Sequence, residues 1–348
     1  MRIILLTLSD EIELEDLKGM IAEARTKTEI KEDFFSTLQA EIAMGQFIKT
    51  QPIVVLEGIL DSQFFSKLRS KNLNIITVED LISKDFNKQK RNKKLKMRQK
   101  KEIESKERKR LDSAKNLVKK ICEYLEEKGF DFVFGIQDTD LEAINKLIRY
   151  GKYKSRKSDN IFQTFPCRDM ELLIYYQLYE NDVFKDRLRE SLVKSIDLSK
   201  NLAYVGIGLN EFNREYRKQA FGLNKFCKES RKSHKEYIRM CTSTKSIIDA
   251  FVAYTASFPE EDKPKLLDFV DNVNSKLEEN ELGWHQIVRG HDLETIITIT
   301  DDKFKDVKEV NRFLIMLLKF EYVENHSLIK QIIEWRKRLD LPRLFEEE

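Results

Sequence analysis

The segment FDFVFGIQDTDLEAI, residues 130–144, starts as an apolar run and then places Asp138 and Asp140 one residue apart. The apolar run has the length and composition of a buried strand. An acid directly after a strand often caps the following helix. A pair of acids at i and i+2 beyond a parallel strand can instead lie at the carboxyl edge of an α/β sheet, where such folds bind ligands. Both interpretations are open at this point.

A second apolar run, PIVVLEG at 52–58, ends in the same way on Glu57. Helical spacing follows at 60–70, and LNIITV at 73–78 is a further strand candidate. Strand, helix and strand in this order indicate a parallel α/β unit, in which two strands would deliver acids to one sheet edge. Two carboxylates about 4 Å apart repel by about 4 kcal/mol at an effective dielectric of about 20. We therefore expect a cation between them, and an all-oxygen site suits Mg²⁺ or Mn²⁺.

Composition indicates a folded protein with a densely charged surface. The chain has 348 residues, 41% hydrophobic and 35% charged, and this length predicts about two domains. The formal net charge is only +3, so nucleic-acid affinity would have to come from uneven placement of charge. No apolar run approaches the roughly 20 residues that span a bilayer. No CxxC pair or secretory signal is present, which predicts a reduced, cytoplasmic setting for the four cysteines Cys122, Cys167, Cys227 and Cys241.

Residues 87–110, NKQKRNKKLKMRQKKEIESKERKR, contain many lysines and arginines and almost no apolar side chain to bury. An exposed helix or arm is expected here. It is either a solvated charged surface or a nucleic-acid contact. In the second case, phosphates would be bound by Lys93, Lys94, Lys96 and Arg98.

The succession of patterns predicts an α/β fold with a parallel sheet flanked by helices, large helical insertions and a helical C-terminal part. Residues 304–340 should form two amphipathic helices, and RGHDLE at 289–294 should be a polar turn. The cluster FLIMLL at 313–318 predicts an interface with a partner or a second copy. The predicted parts are an N-terminal segment (1–50), an α/β core (51–180) with a basic helical insertion at about 84–128, a helical insertion domain (181–282), and a return to the core followed by C-terminal helices (283–348).

Two of the motifs resemble the Toprim fold of topoisomerases, primases and related nucleases. The signature of that fold is a Glu after one strand and a DxD after another. Glu57-Gly58, with Asp61 one helical turn further on, corresponds to the first motif, and Asp138-Thr139-Asp140 to the second. The resemblance implies a Toprim-like parallel sheet.

Two further motifs make the resemblance more specific to one Toprim family. CRDMELLI at 167–174 and VRGHDLETII at 288–297 are similar to segments of the AriB-type Toprim nucleases of PARIS anti-phage systems. That family in turn resembles the nuclease half of OLD (overcoming lysogenization defect) proteins. The four motifs follow the family's order over residues 53–297.

The resemblance assigns metal ligands. It implies that Glu57 and Asp61 hold one divalent ion and that Asp138 and Asp140 hold the other. Glu171, in preference to Asp169, would complete the site. Acids in the first turn of a helix also favour the helix dipole, so a capping role is the alternative for each of the helix-opening acids.

A basic residue late in the domain is expected in this family, to stabilise charge that develops on the phosphate. No lysine occupies that place here, so the candidates are Arg289, which would also contact nucleic acid, and His291. The catalytic residues implied are then Glu57, Asp138, Asp140 and His291. A structural role for His291 is the alternative.

The implied function is a Mg²⁺- or Mn²⁺-dependent endonuclease that cleaves RNA, including tRNA, or DNA. It would be the toxic effector of an anti-phage system, controlled by a partner ABC-type ATPase and active as a homodimer. The main alternative is a non-catalytic Toprim-like scaffold or nucleic-acid-binding subunit of a defence complex. Strand passage and primer synthesis lack a recognisable tyrosine context or zinc motif.

If the basic run contacts nucleic acid, neutralising it should weaken the salt dependence of binding. Replacing Lys93, Lys94, Lys96 and Arg98 together by Gln removes four phosphate contacts and should reduce the slope of log affinity against log salt by about 3. Fluorescence anisotropy with a labelled oligonucleotide at several salt concentrations measures this slope. An unchanged slope would show that the run is solvated or contacts protein.

Overall fold

The computed structural model describes residues 37–47, 50–68, 72–90, 114–139, 144–145, 148, 159–184, 188–216, 233–254 and 258–345. The chain divides into two compact units, Met1–Lys49 with Val78–Ala114 and Thr50–Thr77 with Lys115–Glu348. Asp140 and the four basic residues that were predicted to bind phosphates, Lys93, Lys94, Lys96 and Arg98, lie outside the described residues.

Four parallel strands form the sheet of the second unit, in the order β2-β1-β3-β4. Val54 of β1 pairs with Ile75 of β2 on one side and with Phe134 of β3 on the other. Every residue of β1 is buried, as expected for a strand in the interior of a parallel sheet. The predicted α/β class and parallel sheet are confirmed. The strands are β1 (Ile53–Leu56), β2 (Asn74–Thr77), β3 (Val133–Gln137) and β4 (Ile161–Gln163).

Helices account for most of the remaining described chain. A short 3₁₀ turn, Glu260–Asp262, precedes one of them. In chain order the helices are α1 (Ile59–Lys67), α2 (Val78–Lys90), α3 (Ala114–Glu127), α4 (Met170–Glu180), α5 (Arg189–Tyr216), α6 (His234–Met240), α7 (Thr244–Tyr254), α8 (Lys263–Glu279), α9 (Trp284–Ile287), α10 (Gly290–Thr300), α11 (Val307–Leu317), α12 (Phe320–Val323) and α13 (Ser327–Arg338).

Helix α3 packs directly on the middle of the sheet, because β3 carries a glycine beneath it. A Cβ at Gly135 would lie 2.7 Å from Val118 Cγ1 and 2.8 Å from Ile161 Cδ1. No side chain larger than hydrogen fits between helix and strand without displacing them. The helical insertion predicted at about 84–128 therefore includes α3, which packs on the sheet.

Buried apolar residues of the second unit form two clusters. The first joins the sheet to α4, α10 and the C-terminal helices, with Phe134 and Trp335 rings 4.9 Å apart at its centre. The second lies among α5 to α8 and includes Phe212 and Val270. Helix α5 is long enough to contribute to both. In the first unit, residues 37–43 are helical, and Lys84 of α2 pairs with Glu41 at 2.8 Å.

Two local predictions for the C-terminal part were wrong. The two helices predicted over 304–340 are three, because the backbone is extended at Leu318 and Lys319 and then begins the short α12. RGHDLE is not a polar turn, since Gly290 to Glu294 form the start of α10. In the FLIMLL cluster Leu314 and Leu318 are buried, whereas Met316 is 63% exposed.

No helix in the described ranges combines the length and apolar character needed to cross a bilayer. The described cysteines, Cys122, Cys167 and Cys241, are buried free thiols. Cys227 lies outside the described residues.

Candidate functional site

The structure brings Glu57 and Asp138 together at the carboxyl edge of the sheet. Each directly follows its strand, and β1 and β3 are neighbours. The backbone N–H of Asp138 donates to Glu57 Oε1 at 3.1 Å. The Glu57 side chain therefore reaches across to the next strand, and the N-cap of α1 is Gly58 instead.

Asp61 closes the first turn of α1. Its Oδ2 accepts a hydrogen bond from the Gly58 N–H at 2.9 Å. The residue is only 8% exposed, and this contact is the capping role that was the alternative for the helix-opening acids. Its carboxylate lies at the N-terminus of α1, close to the strand end that carries Glu57.

Asp138 accepts from the start of a helix distant in sequence. Its Oδ1 receives the Met170 N–H, the first of α4, at 3.1 Å. The neighbouring Thr139 N–H donates to the Arg168 carbonyl at 2.9 Å and holds this segment in place. Asp138 thus contacts the positive end of a helix dipole, as capping predicts, but the helix is α4 and not one directly following β3.

Asp169 joins the N-termini of two helices. It is the N-cap of α4, where its Oδ1 accepts from Leu172 N at 3.0 Å. Its Oδ2 accepts from Gly290 N, the first residue of α10, at 2.9 Å. Both carboxylate oxygens are engaged by backbone donors.

Gly290 lets the two helix ends approach closely. A Cβ there would lie 2.5 Å from Glu171 Cβ and 2.6 Å from Asp169 Oδ1. The loop into α10 therefore rests on the first turn of α4. Arg289, directly before the glycine, lies close enough to Asp169 for its charge to lower the pKa of that carboxyl.

Five acids form what we call the carboxylate cluster: Glu57, Asp61, Asp138, Asp169 and Glu171. Burial raises the pKa of Asp138 well above its ordinary value, and the charges of the other four acids raise it further. Burial also raises the pKa of Glu171 well above its ordinary value, together with the charges of Asp169, Glu294 and Asp61. The acids are therefore close enough to oppose one another's ionisation.

Two arginines partly offset this charge. Burial raises the pKa of Asp169, while the Gly290 N–H and the Arg168 guanidinium are the strongest groups that lower it, and Arg289 adds to them. Arg168 Nη1 also donates to the Ile287 carbonyl at 2.9 Å, which places it between α4 and α9. The Arg289 side chain is exposed.

Sequence analysis missed Arg168 and Glu294. Both lie inside motifs that were noticed, Arg168 directly before Asp169 and Glu294 three residues after His291. That spacing places Glu294 on the same helix face as His291, which was a usable signal. His291 is in the first turn of α10, with Nδ1 3.7 Å from Glu294 Oε2.

The donor chemistry of the carboxylate cluster fits a hard divalent cation, which prefers carboxylate oxygens. Yet within the part of the chain that the structure describes, no three His, Cys, Asp or Glu side chains converge closely enough to hold a metal ion. Oxygens of Glu57, Asp138 and Asp169 are turned toward backbone N–H groups. Asp140, the second acid of the pair, is outside those residues.

Comparison with known proteins identifies no relative. The chain matches no protein-family model, no curated protein and no solved structure. The resemblance to Toprim nucleases therefore rests on the motifs alone.

Asp169 caps two helices, an arrangement that we call the double cap. The same Asp→Asn substitution should therefore destabilise the protein more at Asp169 than at Asp306, which caps one helix. Asp169→Asn leaves one acceptor oxygen for two buried N–H donors, so it should destabilise the fold by about 1–3 kcal/mol. Asp306 caps the exposed start of α11 by accepting from Glu309 N, and Asn caps equally well. Asp306→Asn should change the unfolding free energy by less than about 0.5 kcal/mol. Urea denaturation of both variants tests this, and equal effects would contradict the double cap.

The crowded acids also predict a pH dependence. Asp138 and Glu171 have raised pKa values in the folded state, so the stability they contribute is full below their ordinary pKa of about 4 and is lost as pH rises through the raised values. In EDTA, the double variant Asp138→Asn, Glu171→Gln should therefore gain stability over the wild type as pH increases from about 4 to 8. Denaturation at several pH values measures this difference. A difference that stays constant with pH would show that the acids do not oppose one another.

Proposed function

We propose that this protein is a metal-dependent nuclease of the Toprim type and the toxic effector of an anti-phage defence system. The observation that supports it best is the carboxylate cluster at the carboxyl edge of a parallel sheet, where α/β folds bind ligands. Helix capping explains Asp169, one oxygen of Asp61 and one oxygen of Asp138. It does not explain why Glu57 and Glu171 are added to the same place. Acids with strongly raised pKa values in one cluster are typical of functional sites.

The ligands proposed for Mg²⁺ or Mn²⁺ are Glu57, Asp61, Asp138, Asp140 and Glu171. When bound, the metal supplies an activated water or ribose hydroxyl and neutralises charge on the phosphate. The Gly58 and Met170 N–H groups at the N-termini of α1 and α4 orient Asp61 and Asp138, respectively. Arg289, exposed at the start of α10, is the residue proposed to bind a phosphate of the nucleic acid.

The substrate proposed is RNA, including tRNA, or DNA. The basic run with Lys93, Lys94, Lys96 and Arg98 would extend the contact along the phosphate backbone. From the resemblance we also propose control by an ABC-type ATPase, activity as a homodimer and a cytoplasmic location.

A second candidate function is a Toprim-like scaffold or nucleic-acid-binding subunit that cuts nothing. It is favoured by the involvement of Glu57, Asp138 and Asp169 oxygens in backbone hydrogen bonds. Among the described side chains, no three His, Cys, Asp or Glu residues converge closely enough to hold a metal ion.

Isosteric substitutions separate the two functions. In Glu57→Gln and Asp138→Asn the amide oxygen can still accept from Asp138 N and Met170 N, so the fold should be kept and the melting temperature unchanged or raised. Asp140→Asn is expected to behave in the same way. An amide is a poor ligand for a hard cation, so Mg²⁺-dependent cleavage should fall by more than the roughly 10²–10⁴-fold of a lost acid–base group. Cleavage of labelled RNA and DNA, and growth on induction, are the measurements.

Asp306→Asn is the control, because it makes the same chemical change at a cap outside the site. It should retain full cleavage and toxicity. The scaffold function would replace the nuclease if the site variants stay fully toxic, or if the wild type shows no metal-dependent cleavage of any RNA or DNA.

A further inference from the structure

Glu294 is a buried carboxylate to which the proposed function assigns no role. It lies on α10 and is 1% exposed. Among the described residues its Oε1 has no hydrogen-bond partner, and its Oε2 lies 3.7 Å from Nδ1 of His291. Burying a carboxylate costs several kcal/mol unless a charge or donor compensates it, so its neighbours must account for its position.

The surroundings of Glu294 point to His291 as that partner. Burial raises the pKa of Glu294, and contact with His291 is the strongest effect in the opposite direction, ahead of the Asn311 amide. The negative charge of Asp169 raises the pKa further. Asp169 accepts from the Gly290 N–H, and the Asp292 and Leu293 N–H groups donate to the Arg289 carbonyl, so Glu294 is not needed as a cap.

The different exposure of the two side chains indicates how the imidazole ring is oriented. The Glu294 side chain is 2% exposed, and that of His291 is 53% exposed. The Nδ1 edge of the imidazole therefore faces the protein, which leaves the opposite Nε2 edge toward solvent. Gly290 places this same turn of α10 against Glu171 and Asp169 of the carboxylate cluster.

We propose that Glu294 is a positioning residue for His291: it accepts the Nδ1 proton, sets the ring tautomer and leaves the Nε2 edge facing nucleic acid at the carboxylate cluster. The role in cleavage rests on the proposed function, whereas the effect on the tautomer does not. A carboxylate behind one ring nitrogen determines which nitrogen carries the proton. The distance of 3.7 Å is longer than a hydrogen bond. Catalytic hydrogen bonds are often long in a protein without substrate and shorten when substrate binds.

The tautomer can be read directly in the full-length, metal-free protein. Long-range ¹H–¹⁵N NMR of ¹⁵N-histidine-labelled protein in EDTA resolves the ring nitrogens of the four histidines, and loss of one signal set in His291→Gln assigns this residue. At alkaline pH, where the ring is neutral, wild-type His291 should carry its proton on Nδ1. Glu294→Gln should keep that tautomer because the amide oxygen still accepts. Glu294→Leu should shift it to Nε2, the form preferred by an unconstrained imidazole.

Glu211→Gln is a matched control, since Glu211 is a buried carboxylate on α5, 7% exposed. It should leave the His291 signals unchanged. In Mg²⁺-dependent cleavage, Glu294→Leu should lower kcat by roughly 10–100-fold with KM nearly unchanged, and Glu294→Gln should recover most of it.

A wild-type His291 protonated on Nε2, or a tautomer unaffected by Glu294→Leu, would overturn the proposal. The wild-type measurement decides this even if Glu294→Leu fails to fold. A protein that never cleaves but shows the Nδ1 tautomer would remove the nuclease function while leaving the pairing of Glu294 with His291 intact. If Glu294→Leu shifts the His291 tautomer to Nε2 but leaves kcat unchanged, Glu294 has only a structural role, and the positioning role is overturned.

Discussion

The arrangement of the site depends on the two hydrogen bonds accepted by Asp169. One goes to its own helix α4 and the other to the first residue of α10, which lies 121 positions further along the chain. Charged acceptors make stronger hydrogen bonds than neutral ones, and burial strengthens them further. With this connection the two helix ends meet at Gly290, and the side chains of two distant motifs come to lie beside one another.

Helix N-termini explain how so many acids tolerate one another's proximity. Asp61, Asp138 and Asp169 each accept from a backbone N–H at the start of a helix. Those N–H groups would otherwise lack partners, and together they carry a partial positive charge. Glu171 lies in the first turn of α4 and shares that field. The helix ends reduce the repulsion but do not remove it, since the pKa values of Asp138 and Glu171 remain well above their ordinary range.

Local patterns in the sequence were sufficient for β1, β2 and β3, their parallel direction and most helices, because strand and helix periodicity is set by neighbours in the chain. They also placed Glu57 and Asp138 at one edge, since parallel strands end on the same side. They failed at α10, where RGHDLE has no side-chain cap of its own and Arg289 makes none. The cap comes from Asp169, a tertiary contact that no local window contains. The burial of Glu294 was missed for the same reason, because it depends on how α10 packs against α4 and α11.

Strand β1 pairs directly with β3, so the positions of Glu57 and Asp138 at the sheet edge do not depend on the length of the sequence between these two strands. Val54 and Phe134 are partners in the sheet, and Glu57 accepts from Asp138, whatever the length of residues 58–132. Doubling a connection costs only about 0.6 kcal/mol of closure entropy. In evolution, the part of this interval that connects β2 to α3 can gain, lose or exchange whole segments, including the basic run at 87–110, while the acids stay in register. Related chains are therefore expected to diverge most in the spacing between their first and second acidic motifs and least in the strands that carry them.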